Sequence, residues 1–486
     1  MNIDTVDVGV IRKRSIQGIF ALMSRTMFIN IISFAAWILV TMKLKESEVG
    51  VFTAVIAMQR LVSFFTDFGL GAALVQKKEL PSQRDLTTTF TIQFLLTLVV
   101  FFVVFFSSGF IQSFFHLSDK GTMLLIVLVF TIFLSSFKII PSILLERDIH
   151  FQKLIIPQLT ESILFNGILV LLIFQGYTIE SFTYAFLIAS IASIPVYYFI
   201  SPWRISFSID RESLHHLRYG IQFQAKNILA TIKDDLLTVI LVKFLSFTEI
   251  GYIGFAQRLA FFIYRYIVDS VTKVTFSTYA RLQESREVLQ KAIEKSLFFV
   301  SASVFPILAG IIITAPYFIR FVPNWQGKWE PAIISLIFFC LNAMVSSLSG
   351  VMVTVLDATG KVKTTLKLMV LWTTLTWVLT PILIFSIGYN GVAIASFLVT
   401  LTIGFTVYLL KKVVAFNFLQ SIFKPVMATI FMSIVVYFSA SAIAHDFISL
   451  LFVVLLGATV YCILFYMLAK QEVSKDLALI IAKFRK

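Results

Sequence analysis

Long apolar runs separated by short polar segments dominate the chain. A transmembrane helix needs about 20 mostly apolar residues, and on that basis the sequence predicts fourteen spans. They lie at approximately 18–42, 50–75, 86–110, 121–145, 153–175, 178–200, 220–243, 248–272, 296–315, 331–356, 362–386, 388–410, 422–443 and 447–469. The pattern predicts an all-α polytopic membrane protein with both termini on one side.

Two segments outside the spans mix charged and apolar residues. Residues 277–296, STYARLQESREVLQKAIEKS, predict a cytoplasmic amphipathic helix between the eighth and ninth spans. Residues 474–486, SKDLALIIAKFRK, predict a basic amphipathic tail suited to the membrane surface. The alternative for each is a solvated connector.

Composition agrees with a membrane protein. Apolar residues make up 58% of the 486 residues and charged residues 14%, whereas soluble proteins have about 45–50% and about 25%. We therefore relate the net charge of +14 to a location in the membrane, and we expect no nucleic-acid partner. Cys340 and Cys462 both lie within predicted spans, so we expect neither a disulfide framework nor a metal site. No cleavable signal peptide is evident.

The distribution of Lys and Arg sets the orientation. With both termini inside, and with basic residues at span ends counted in the adjoining loops, the inside segments carry 27 and the outside loops 6. Short cytoplasmic loops are enriched in these residues. Both termini are predicted to face the cytoplasm.

Two similar stretches predict an internal repeat. SEVGVFTAVIAMQRL (47–61) resembles TEIGYIGFAQRL (248–259), and Gly251 follows Gly50 by 201 residues. The same offset places Lys226 opposite Arg25. Six spans per unit give both units one orientation, as in the parallel repeats of some transporters. Chance similarity of two short stretches is the alternative.

The repeat predicts two six-helix lobes around a central cavity. The predicted segments are an N-terminal lobe at 1–200, a cytoplasmic linker at 201–219, a C-terminal lobe at 220–411, two further spans at 412–470 and the tail at 471–486.

Seven basic residues lie within spans, and each would cost roughly 2.5–3.5 kcal/mol at a helix centre. Together these charges would cost on the order of 20 kcal/mol if they faced lipid, more than the typical net stability of about 5–15 kcal/mol. We therefore expect them to face the bundle interior. The basic residues are Arg25, Arg60, Lys138, Lys226, Lys233, Arg258 and Arg265, and the acidic ones are Asp67, Glu161, Asp234, Asp235, Asp269 and, near a span end, Asp357.

Helical spacing keeps these charges on single faces of the first, second, seventh and eighth spans. Arg258, Arg265 and Asp269 follow steps of 7 and 4 residues. A surplus of positive charge suits an anion, since Arg offers a planar fork for phosphate and Lys a point charge. The alternative is a set of structural ion pairs, such as Arg60 with Asp67 or Lys233 with Asp234. No ATPase or catalytic-triad motif is visible, so we expect a transporter, not an enzyme.

Three stretches resemble a known family. FFTDFGLGAALVQKKEL (64–80), KDDLLTVILVKFLSFTEIGYIGFAQRL (233–259) and GYNGVAIASF (388–397) resemble the polysaccharide transporter family. These are the Wzx-type flippases of lipid-linked oligosaccharides, within the multidrug/oligosaccharidyl-lipid/polysaccharide exporter superfamily.

The resemblance implies movement of an undecaprenyl-diphosphate-linked glycan repeat unit to the periplasmic leaflet of the bacterial inner membrane by alternating access. It implies a monomer without a cofactor, coupled to H⁺ or Na⁺, working with polysaccharide polymerase and chain-length machinery. The substrate-binding candidates are Arg25, Arg60, Lys226, Lys233, Arg258 and Arg265; the candidates for ion coupling or ion pairs are Asp67, Glu161, Asp234, Asp235 and Asp269.

Three other functions remain open. They are a cation-coupled multidrug or toxin antiporter, a peptidoglycan-precursor flippase of the same superfamily, and a scaffold protein of a polysaccharide assembly complex.

Overall fold

The computed structural model describes residues 27–66, 74, 81–148, 150–210 and 231–484. Within these ranges the chain is helical, with no β-strand. Contacts divide the chain into two compact units, Met1–Gly251 and Tyr252–Lys486. Residues 231–251 thus belong by their contacts to the first unit. The predicted lobe boundaries at 201–219 stay a prediction.

The helices of the first unit pack both with neighbours in sequence and with helices further along the chain. Gln93 of α3 donates to the Thr66 carbonyl at the end of α2 at 3.0 Å, and Phe52 of α2 stacks on Phe182 of α7 at 4.0 Å. The helices are α1 (Met27–Lys43), α2 (Glu46–Thr66), α3 (Gln83–Phe106), α4 (Ser108–Phe115), α5 (Asp119–Arg147), α6 (Phe151–Phe174), α7 (Ile179–Ile200), a π-helical turn (Ile232–Leu236) and α8 (Leu237–Leu241).

Aromatic side chains fill one end of the second unit. Trp325 and Trp329 are fully buried beside Phe255, which stacks on Trp329 with 4.2 Å between ring centroids. The helices are α9 (Phe247–Leu282), which begins in the first unit, α10 (Arg286–Phe321), a 3₁₀ turn (Glu330–Ala332), α11 (Ile333–Ala358), α12 (Val362–Ile387), α13 (Asn390–Thr400), α14 (Ile403–Lys411), α15 (Phe418–Ile443) and α16 (Phe447–Phe484).

The predicted membrane helices are largely confirmed. Eleven helices in the described residues are long and apolar enough to cross a membrane, and they correspond to predicted spans two to six and nine to fourteen. Span one is represented by the shorter α1, and span seven by the π-helical turn and α8. Span eight lies in α9, which is long but more charged. Residues 18–26 of span one and 220–230 of span seven lie outside the described residues.

The predicted amphipathic helix at 277–296 is wrong as a single element. α9 ends at Leu282 and α10 begins at Arg286, and each is 36 residues long. The Tyr279 hydroxyl donates to the Ser296 hydroxyl at 2.6 Å and joins the two helices. Each half of the segment therefore extends a long helix.

Two other predicted elements have internal breaks. The twelfth span is divided into α13 and α14 at residues 401–402. α16 continues from the fourteenth span into the predicted tail, with non-helical backbone angles at Ala469.

The two helices that open the predicted repeat have matching starts. α2 and α9 begin 201 residues apart. The Glu48 carboxylate accepts from the Lys45 amide, and the Glu249 carboxylate from the Ser246 amide, both at 2.8 Å. These bonds satisfy amides that a helix leaves unpaired at its start. The same sequence signal therefore caps both helices.

The helices also meet through equivalent glycines. A Cβ on Gly50 would lie 1.7 Å from the Phe247 carbonyl oxygen, and one on Gly251 would lie 2.0 Å from the Glu46 carbonyl oxygen. All four residues belong to the first unit. Glycine is required at both positions because the facing backbone occupies the space of a side chain. This reciprocal contact supports the predicted repeat.

Candidate functional site

The charges in span seven lie on a π-helical turn. This turn, Ile232–Leu236, contains Lys233, Asp234 and Asp235. π turns are rare and occur frequently at functional sites. The Lys233 ammonium pairs with the Asp234 carboxylate at 3.0 Å. One of the two ion pairs that the sequence suggested is therefore present.

Arg60 joins α2 to this turn. Its guanidinium lies 3.3 Å from an Asp235 carboxylate oxygen, a contact between residues 175 positions apart. The Arg60 side chain is 53% exposed and that of Asp235 16% exposed. The guanidinium has five N–H donors, and its exposure allows an anion to approach and compete with Asp235 for them. We call Arg60, Lys233, Asp234 and Asp235 the bulge cluster.

A second ion pair lies deeper in the same unit. The Lys138 ammonium of α5 lies 2.8 Å from the Glu161 carboxylate of α6 and 3.1 Å from the Ser190 hydroxyl of α7. The Lys138 side chain is only 10% exposed, and that of Glu161 is 36% exposed. The charge of Lys138 is thus matched inside the protein. This arrangement ties three helices together.

The second unit carries its charges along one face of α9. Arg258, Arg265, Asp269 and Lys273 are exposed, whereas Ala256 and Ala260 on the same helix are buried. Asp269 lies within electrostatic reach of both Arg265 and Lys273. The predicted polar stripe is present on α9.

The structure describes most of the predicted site residues. Arg60, Lys233, Asp234 and Asp235 come together in the first unit. Glu161 instead pairs with Lys138, and Arg258, Arg265 and Asp269 share the α9 face. Arg25, Asp67 and Lys226 lie outside the described residues.

Two partners were missed from the sequence. Arg60 pairs with Asp235, where the sequence suggested Asp67, and Ser190 was not predicted as a partner of Lys138. Serine is common in these spans, and no local spacing relates positions 60 and 235. Only the packing of the helices shows these contacts.

The comparison with family models settles the family. The model described as "polysaccharide biosynthesis protein" matches residues 39–334, a range that contains α2, the bulge cluster and α9. The chain belongs to the polysaccharide biosynthesis protein family. The resemblance noted from the sequence is thereby confirmed.

Two bacterial proteins are similar in sequence to this chain. The chain is 24% identical over 339 residues to the lipopolysaccharide biosynthesis protein WzxC of Escherichia coli K12, covering 66% of this chain and 65% of WzxC. It is 21% identical over 275 residues to the teichuronic acid biosynthesis protein TuaB of Bacillus subtilis, covering 55% of each. The chain thus spans less than two thirds of either relative.

Solved structures show the fold. The lipid II flippase MurJ in an inward closed conformation matches with a TM-score of 0.77 at 20% identity, covering 93% of this chain and 99% of MurJ. An inward-facing multidrug resistance transporter of the MATE family matches with a TM-score of 0.60 at 14% identity, covering 79% of this chain and 95% of that one. This polysaccharide biosynthesis protein therefore has the fold of the multidrug/oligosaccharidyl-lipid/polysaccharide exporters.

Proposed function

We propose that this protein is a flippase for a lipid-linked glycan. Its substrate is an oligosaccharide repeat unit on undecaprenyl diphosphate, and it moves that unit across the bacterial inner membrane by alternating access for assembly of a surface polysaccharide. Family membership supports the polysaccharide pathway, and the exporter fold supports transport. The Arg60–Asp235 contact on the π-helical turn is the observation that carries the substrate's chemistry.

The bulge cluster suits a diphosphate. An exposed guanidinium held at 3.3 Å by one carboxylate keeps donors available for phosphate oxygens. Arginine binds phosphate through two parallel hydrogen bonds, which are stronger than neutral ones. A diphosphate that engages Arg60 and Lys233 takes the place of their aspartate partners. The aspartates thus keep the cations balanced when no substrate is bound.

The α9 stripe supplies a second cationic surface. Arg258 and Arg265 lie 7 residues apart on one exposed face, and we assign them to the glycan headgroup. Asp269 is our candidate for H⁺ or Na⁺ coupling because it is a carboxylate placed between two cations. Glu161 is less suited to carry an ion, since Lys138 already neutralises it.

Charge argues against the multidrug antiporter. An organic cation would meet the exposed guanidiniums of Arg60, Arg258 and Arg265, and like charges repel at short distance. Peptidoglycan precursor also carries a diphosphate, so the bulge cluster suits it equally. The family match favours a surface polysaccharide. A scaffold role does not account for the exposed basic side chains.

The proposal is tested by identifying the lipid that accumulates in cells without this protein. Cells lacking this protein, with sugar synthesis intact, are extracted and analysed by mass spectrometry. We expect a polyprenyl-diphosphate repeat unit to accumulate and to disappear when the protein is restored. Accumulation of peptidoglycan precursor would assign the other diphosphate substrate. Normal lipid and normal surface polysaccharide would overturn the flippase proposal.

Variants of the bulge cluster test whether it takes part in transport. Arg60→Gln is expected to reach the membrane at normal levels and to fail to clear the accumulated lipid. Lys120→Gln is the matched control, since Lys120 forms an ion pair with Glu180 elsewhere in the first unit. Equal loss in both variants would point to a general folding defect.

Location and partners follow from the same proposal. We propose a monomer in the inner membrane with cytoplasmic termini, and we expect it to pass its product to polysaccharide polymerase and chain-length machinery.

A further inference from the structure

The segment after α7 has a regular alternation of residues. Residues 203–210 read WRISFSID, with apolar residues at the odd positions and polar ones at the even positions. Such alternation places apolar side chains on one side of an extended chain and polar ones on the other. The segment lies within the linker that the sequence predicts to be cytoplasmic.

Hydrogen bonds fix this segment along α3. The Ser208 amide donates to the Thr91 hydroxyl at 3.1 Å, and the Asp210 amide donates to the Thr88 hydroxyl at 3.0 Å. Alternate amides that donate to one neighbour are the pattern of an extended chain. We call residues 203–210 the strap.

Aromatic contacts show where the Phe207 side chain lies. The Phe207 ring lies 5.4 Å from that of Phe90 and 5.2 Å from that of Phe94. Phe94 follows Thr91 along α3, away from the start of that helix at Gln83. Phe207 therefore lies against α3 between the levels of Phe90 and Phe94, and Trp203 contacts Phe90 as well, with 5.1 Å between ring centroids.

The strap contacts α3 near the end of that helix that is predicted to be cytoplasmic. Thr91 is eight residues beyond Gln83, about 12 Å along the helix at 1.5 Å per residue. Three of its four odd side chains are nevertheless open, with Ile205 46%, Phe207 59% and Ile209 58% exposed, whereas Trp203 is buried. Arg204, Ser206 and Ser208 on the other side are exposed as well.

We propose that the strap is a membrane-binding element that lies in the cytoplasmic leaflet of the bilayer. Ile205, Phe207 and Ile209 insert between acyl chains, while Arg204, Ser206 and Ser208 face the headgroups and water. Thr88 and Thr91 make this possible, because an unpaired backbone amide is costly near hydrocarbon. α3 is itself a candidate membrane span, and the strap lies against its buried residues Thr88 and Thr91.

The proposal gives the linker a defined path. The chain stays bound to the first unit as far as Asp210. The proposal does not depend on which substrate the protein carries.

Site-directed spin labels test the insertion. Cys340 and Cys462 are replaced by alanine, single cysteines are labelled at positions 204 to 209, and the protein is placed in phospholipid nanodiscs. Accessibility to oxygen, which concentrates in lipid, is compared with accessibility to a water-soluble nickel complex. Val99 on the exposed face of α3 and Glu284 between α9 and α10 provide the lipid and water references.

We expect a two-residue period. Labels at 205, 207 and 209 should match the lipid reference, and those at 204, 206 and 208 should favour the nickel complex. Equal nickel accessibility at all six positions would overturn the proposal. So would low accessibility to both reagents at the odd positions, because that result indicates burial against protein.

A threonine variant tests the role of the hydroxyls. Thr91→Val keeps the shape but removes the acceptor for the Ser208 amide, and we expect the label at 207 to lose at least half of its oxygen preference. Thr160→Val is the control, since the Thr160 hydroxyl donates within its own helix to the Ile156 carbonyl. An unchanged label in Thr91→Val would contradict the positioning by this bond.

Discussion

Two ion pairs in the first unit use similar chemistry in different surroundings. Lys138 and Glu161 meet at 2.8 Å, with the lysine 10% and the glutamate 36% exposed, whereas Arg60 and Asp235 meet at 3.3 Å, with the arginine 53% and the aspartate 16% exposed. A buried charge that loses its partner is strongly destabilising, while an exposed pair contributes little. The first pair therefore holds three helices together, and the second is free to exchange partners. The comparison separates a structural ion pair from the pair that we propose for binding.

Removing one member of the buried pair should have the largest effect. Glu161→Ala leaves the Lys138 ammonium without a counter-charge, and we expect a loss of about 3 kcal/mol in the free energy of unfolding. Thermal unfolding of the detergent-purified protein measures it. Asp235→Ala is the comparison, with an expected loss of about 0.2–1 kcal/mol.

The double variant Lys138→Met/Glu161→Leu sharpens this result. Replacing a buried pair by apolar residues is often neutral, so most of the lost stability should return. A double variant as unstable as Glu161→Ala would show that the shape of the site matters more than its charge.

The exposed pair should show the reverse pattern, with a loss of transport and little loss of stability. Hydrogen bonds to charged groups contribute about 1.5–3 kcal/mol, so Arg60→Gln should reduce lipid export about ten- to hundred-fold. Export is measured as the amount of repeat unit that reaches the leaflet of reconstituted vesicles corresponding to the periplasmic side. Normal export by Arg60→Gln would remove this arginine from the binding site.

Neutralising the aspartate of the exposed pair should strengthen anion binding. Asp235 competes with phosphate for Arg60, and an exposed pair is worth about 0.2–1 kcal/mol. Asp235→Asn should therefore bind inorganic pyrophosphate up to about five-fold more tightly in calorimetric titrations. Weaker binding would mean that Asp235 orients Arg60 for the ligand and does not compete with it.

Salt should produce the smallest difference between the pairs. Raising NaCl from about 0.05 to about 0.5 M shortens the screening length several-fold around exposed charges. The coupling energy of Arg60 and Asp235, from a double-mutant cycle, should fall by more than half. That of Lys138 and Glu161 should change little, and an equal fall in both would contradict the assigned difference in burial.

Much of the fold follows directly from the sequence. The apolar runs that predict spans two to six and nine to fourteen match described helices because the bilayer sets both their length and their composition. The breaks are harder to predict. Nothing in the apolar run around residues 401–402 marks the end of α13, and the charge pattern continues across Glu284 although Ser285 is a residue type that commonly starts helices.

The candidate site was only partly predictable. Helical spacing places Arg258 and Arg265 on one face because both belong to one element, and the structure agrees. Arg60 and Asp235 lie on different elements, and the π-helical turn that presents Asp235 leaves no recognised pattern in the residues. Contacts within a helix follow from its geometry, whereas contacts between helices depend on the packing of the whole unit.

The reciprocal contact of Gly50 and Gly251 has a consequence for how the chain can change over generations. Each glycine leaves room for backbone contributed by the other stretch of the predicted repeat. After a duplication, two copies are normally free to diverge separately. Here a larger residue in one copy displaces the backbone of the other, so at this crossing the two copies share a single inherited constraint.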